Sequence, residues 1–104
     1  MKLHERVTVE TWIQGMAAQA DDGREVPNVK SPKAVARCLM GWLERADRLD
    51  GELSRVADAA RVLFPERMDP AHPTHRDECA VTDFNDHRDT TVEDVRRVLK
   101  LADI

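Results

Sequence analysis

Tyrosine is absent from this chain, and its aromatic side chains are only Trp12, Trp42, Phe64 and Phe84. With 35% of residues charged, that shortage favours a monomer or a small homo-oligomer, although an exposed part of a stripe around Trp42 could pair with itself. Cysteine is scarce too: Cys38 and Cys79 are too few for a secreted disulfide scaffold. No apolar run approaches the ~20 residues a membrane helix needs, which excludes a membrane protein. The opening Met1-Lys2-Leu3-His4-Glu5-Arg6 carries charge where a signal peptide needs an apolar segment. The expectation is a cytoplasmic protein with reduced thiols. Glycines at 15, 23, 41 and 51 form neither a P-loop nor a dinucleotide fingerprint. Basic excess is missing as well: the net charge is −4, and a nucleic-acid binder needs a cationic footprint to neutralise phosphates.

What is present fits one domain spanning residues 1–104. A chain of this size buries roughly 65% of the surface its unfolded form exposes, enough for a core without metal or disulfide staples. Charge is unevenly spread. Residues 24–61 hold eight basic and six acidic side chains, whereas residues 66–94 hold nine acidic and three basic. The acidic stretch either steers a basic partner or is a solvated face.

Local patterns predict an α+β fold: a short N-terminal β-hairpin packed on a bundle of about four helices. Asp22-Gly23 is the hairpin signal, because glycine supplies the positive φ of a tight turn. A helix from Thr8 through Met16, Ala17 and Ala18 competes with it, so residues 4–16 can be read as helix or strand. Ser31-Pro32 reads as a helix start, with Ser as N-cap and Pro at the first helical position. Val35, Cys38, Leu39, Trp42, Leu43 and Ala46 would then form its apolar stripe. Gly41 inside that helix suggests a close backbone approach. Further helices are expected at about Glu52–Leu63, stopped by Pro65, and at about Asp77–Asn85, after a loop over 64–76. A last helix opens with Thr90 as N-cap and Glu93 three residues on, a capping box.

No constellation announces catalysis. His72, His75, Cys79 and His87 could close a tetrahedral zinc site, but their spacing matches no familiar pattern. Asp83, Asn85, His87, Asp89 and Asp94 fall at EF-hand positions 1, 3, 5, 7 and 12, yet position 6 is Arg88 rather than the required Gly and position 12 is Asp rather than Glu. Cys38 lies on the apolar stripe, where a thiol fills space rather than attacks substrates. The candidate binding residues are therefore the polar groups set in apolar context: Trp12, Gln14, Arg37, Asn85 and Asp86. They either line a pocket between hairpin and central helix or satisfy one another as structure. No cofactor and no catalytic residue is assigned.

Three stretches together resemble an uncharacterised small-domain family of actinobacteria and their phages. They are Trp12-Ile13-Gln14-Gly15 with Asp21-Asp22-Gly23-Arg24, then Arg37-Cys38-Leu39-Met40-Gly41, then Phe84-Asn85-Asp86 followed by Thr90 and Val95. The resemblance runs over residues 12–103. Ile13 departs from the Cys usual after the Trp, and the helix that commonly precedes that Trp is shortened or missing. No activity is established for the family, so the resemblance implies a source rather than a mechanism. The expectation is a non-enzymatic protein-interaction module, its unidentified partner a host protein if the source is a phage. The alternatives are a small-ligand binder and a metal module on the His72–His87 stretch.

Overall fold

The computed structural model describes residues 2–69, 71 and 76–104. A four-residue helix α1 (Leu3–Arg6) leads through a turn at Thr8–Thr11 into strand β1 (Ala18–Ala20). Strand β2 (Ala34–Arg37) and helices α2 (Leu39–Arg45), α3 (Leu49–Leu63), α4 (Asp77–Asp86) and α5 (Val92–Leu101) follow, with one 3₁₀ turn at Pro65–Arg67. The fold is α+β, a two-stranded antiparallel ribbon against four helices of seven or more residues. Among the described residues no helix is long and apolar enough to cross a membrane.

The Asp22-Gly23 turn forms with Gly23 at φ 86°, a value a side chain would strain. Ala20 N donates to Arg24 O and Val26 N to Ala18 O, so the chain does fold back on β1. The main partner of β1 is nevertheless β2, with Ala18 opposite Arg37, Gln19 opposite Ala36 and Ala20 opposite Ala34. Val35 is the extra residue of a β-bulge and is 47% exposed.

This corrects the expected start of the central helix. Ser31 and Pro32 begin a turn: Ser31 Oγ accepts from Lys33 N at 3.2 Å and Ser31 O from Ala34 N at 3.1 Å. A serine oxygen aimed at nearby backbone amides serves a turn as well as a helix, and Pro suits the second position of that turn. The helix begins at Leu39, with Cys38 as N-cap, its sulfur accepting from Gly41 N at 3.3 Å. Cys38 is thus a half-buried cap rather than a stripe residue. Gly41 does mark a close approach, since a Cβ there would run into the Ala17 carbonyl.

Asp47, in the left-handed region at φ 56°, breaks the chain between α2 and α3. Helix α3 then starts three residues before the expected boundary. Its Val56, Ala57 and Ala60 are fully buried, facing Val81 and Phe84 of α4 and Val95, Val98 and Leu99 of α5 within one core. Small alanines let these helices approach closely, and Phe64 stacks on Phe84 with centroids 5.3 Å apart. The last capping box is shifted by one residue. Thr91 Oγ1 accepts from Asp94 N, and the Asp94 carboxylate accepts from Thr91 N. In Thr90-Thr91-Val92-Glu93-Asp94 each threonine has an acid three residues on, so spacing alone leaves both frames open. Thr90 is instead buried and accepts from Arg67 Nη1 at 3.1 Å.

Candidate functional site

The three stretches singled out in the sequence meet around one side chain. Asn85, near the C-terminal end of α4, is 1% exposed. Its Oδ1 accepts from Trp12 Nε1 at 2.6 Å and from Leu39 N at 2.9 Å. Its Nδ2 donates to Ile13 O at 3.2 Å and to Asp86 Oδ1 at 2.9 Å. Two acceptor directions and two donors are the full capacity of an amide. Gln14 Nε2 donates to the backbone oxygens of Asn85 and His87 at 2.9 and 2.8 Å, and Gly15 N donates to Asp86 Oδ1 at 3.0 Å. Leu39 is the first residue of α2, so Asn85 supplies one of the acceptors which that helix end lacks.

The structure therefore gathers Trp12, Gln14, Asn85 and Asp86 into one knot. Arg37 stays outside it. Its backbone pairs with this region, Arg37 N donating to Thr11 O and Ile13 N to Arg37 O. Its side chain points elsewhere, Nε donating to Val29 O at 2.6 Å and Nη2 to Ala34 O at 3.3 Å. The anticipated pocket lined by Trp12, Gln14, Arg37 and Asn85 is replaced by these bonds. A cleft of about 410 Å³ lies alongside, bordered by Met16, Ala17, Glu25, Cys38, Met40, Thr82, Asn85 and Asp86. Only Asn85 and Asp86 of the anticipated residues border it. Thr82 and Asp86 also border a second cleft of about 530 Å³, formed with Glu66, Arg67, Met68, Asp69, Asp83 and His87. Together the two make a groove along α4, acidic at one end and sulfur-rich at the other. Periodicity did not point to Met16 and Met40 as its apolar wall, because the ribbon that brings them together was not resolved by pattern.

Chemistry in this groove is constrained. Burial pushes the Cys38 thiol up, against the smaller opposite pull of backbone hydrogen bonds from Gly41 and Met40. An activated thiol needs the reverse. Of the four metal candidates, His72 and His75 lie outside the described residues. Cys79 sits near the start of α4 and His87 caps its end, its Nδ1 accepting from Asp89 N at 3.1 Å. Eight residues at helical rise put roughly 12 Å between them. No three His, Cys, Asp or Glu side chains gather to hold an ion among the described residues. The would-be EF-hand is helical at Asp83 and Asn85, so that segment is not a calcium loop.

On comparison with known proteins, the chain matches DUF6197, a family of unknown function, over residues 2–103, and it belongs to that family. No curated protein and no solved structure matches it.

Proposed function

We propose that this protein is a non-enzymatic interaction module which docks a basic, partly apolar segment of a partner protein in the groove along α4. The observation that carries this reading is the make-up of the groove. Glu66, Asp69, Asp83 and Asp86 edge one end, with Arg67 the only Lys or Arg lining it among the described residues, and Met16, Met40 and Cys38 wall the other. Arg67 is already held by Asp94 at 2.6 Å. Methionine suits a surface that must fit varied apolar side chains. Carboxylates along the rim speed encounter with a cationic chain and set its orientation. The Asn85 amide and the Trp12 indole N–H, which first suggested a small-ligand pocket, have their hydrogen-bonding capacity taken up inside the fold, which leaves recognition to this outer surface. We place the protein in the cytoplasm of an actinobacterium or of a host infected by one of its phages.

Synthetic peptides that alternate Lys or Arg with Leu or Met test the reading. Saturable binding is expected, weaker at high salt and weaker for Glu66→Lys. Binding that ignores both salt and charge reversal would remove the groove from the reading. Affinity capture from an actinobacterial lysate then seeks the partner, and recovery of nothing above background counts heavily against the proposal.

A further inference from the structure

On the side of α2 that carries Trp42, away from the knot, three guanidinium groups converge on one indole. The Cζ atoms of Arg6, Arg37 and Arg45 lie 5.7, 5.3 and 5.7 Å from the centre of the Trp42 ring. Trp42 is itself buried, its Nε1 donating to Thr11 O at 3.0 Å. Among the described residues none of the three arginines has a carboxylate within ion-pair distance. The six remaining residues (Met1, Pro70, His72, Pro73, Thr74 and His75) bear no acidic side chain.

Arg37 makes this unusual. It is only 6% exposed, and its bonds go to two backbone carbonyls, which carry no compensating charge. Buried charges are ordinarily paired. Burial, and after it the charges of Arg45 and Arg6, hold the Arg37 pKa below its ordinary value, so both outer arginines act unfavourably on the buried one. Cation–π attraction offsets part of this, but it supplies no anion.

We infer that Arg6, Arg37 and Arg45 form a binding site for a soluble phosphate-bearing ligand, whose oxygens sit between the guanidiniums at the rim of Trp42. Guanidinium forks match phosphate oxygens in pairs, and a doubly charged anion offsets more of three positive charges than a single carboxylate does. The site lies apart from the α4 groove, so it stands or falls independently of the docking reading.

Inorganic pyrophosphate is the probe, titrated by calorimetry at constant ionic strength, with the Trp42 indole N–H resonance as the local readout. The expected result is saturable binding with a shift of that resonance. Arg6→Gln and Arg45→Gln should each weaken binding at least tenfold, while Arg97→Gln, a guanidinium stacked on Phe64, leaves it unchanged. Arg37 is left intact because its side chain holds β2. Absence of saturable binding overturns the site, as does equal weakening by Arg97→Gln or a Trp42 resonance that does not move. Binding to phosphatidate vesicles without binding to pyrophosphate overturns a soluble ligand.

Discussion

Two polar clusters flank α2, and they are built on opposite rules. At its N-terminal end Asn85 meets an acceptor or donor in every direction, drawn from segments as much as 73 residues away in sequence. On the Trp42 side, three arginines share one ring and face no carboxylate among the described residues. A buried network whose members satisfy one another fixes a unique arrangement, whereas a concentration of like charge destabilises the folded state until something binds it. The first cluster therefore reports on architecture, and the second is where the proposed anion would act.

Breaking the knot should have the largest effect. Asn85→Ala strands the Trp12 indole N–H and the Leu39 amide without acceptors and should cost about 3–4 kcal/mol in urea unfolding. A loss under 1 kcal/mol would show that water replaces the amide easily and that the knot is not buried. Gly41→Ala forces β1 away from α2 at the Ala17 carbonyl and should cost about 2 kcal/mol by the same measurement.

A smaller effect concerns Asp94. Its burial favours the neutral acid, but hydrogen bonds from Arg67 and Thr91 outweigh that and hold its pKa below the ordinary value. A depressed carboxylate stabilises the fold above its unfolded pKa, and that contribution disappears as pH falls through the folded value. Asp94→Asn should thus lower stability by about 1 kcal/mol at neutral pH. The gap to the parent protein should close below about pH 4. A gap independent of pH in thermal melts from pH 7 to 2.5 would show that the ionised carboxylate adds nothing to the fold. The smallest expected effect sharpens the contrast: Arg6→Gln and Arg45→Gln should change stability by no more than about 0.5 kcal/mol in phosphate-free buffer. A loss of several kcal/mol would make the arginine cluster structural, like the knot.

Much of the architecture could be read from residue patterns, because α3, α4 and α5 carry helical periodicity and local end signals. The Asp22-Gly23 turn was equally legible. The region from Ser31 to Cys38 was not, since Ser-Pro serves turns and helix starts alike, and Val35 extends an apolar spacing although it faces solvent. Thr90 and Thr91 could not be separated for a related reason, each having an acid at the same offset. The polar letters at 12, 14, 85 and 86 were recognisable as unusual. Whether they faced a cleft or one another depended on contacts across some seventy residues, which no local pattern encodes. Arg37 was singled out with them, but its side chain belongs to the other cluster, whose remaining members, Arg6 and Arg45, give no signal beyond being charged.

Helix α2 is only seven residues long, and one of the acceptors at its beginning comes from a side chain 46 positions downstream. A helix so short is marginal by itself, so its stability is tied to the presence of α4 alongside. The segment leading into β1 is held to the same asparagine through Trp12 and Ile13. Amide hydrogen exchange at Leu39 should accordingly track global unfolding rather than fraying, an odd property for the first residue of a helix.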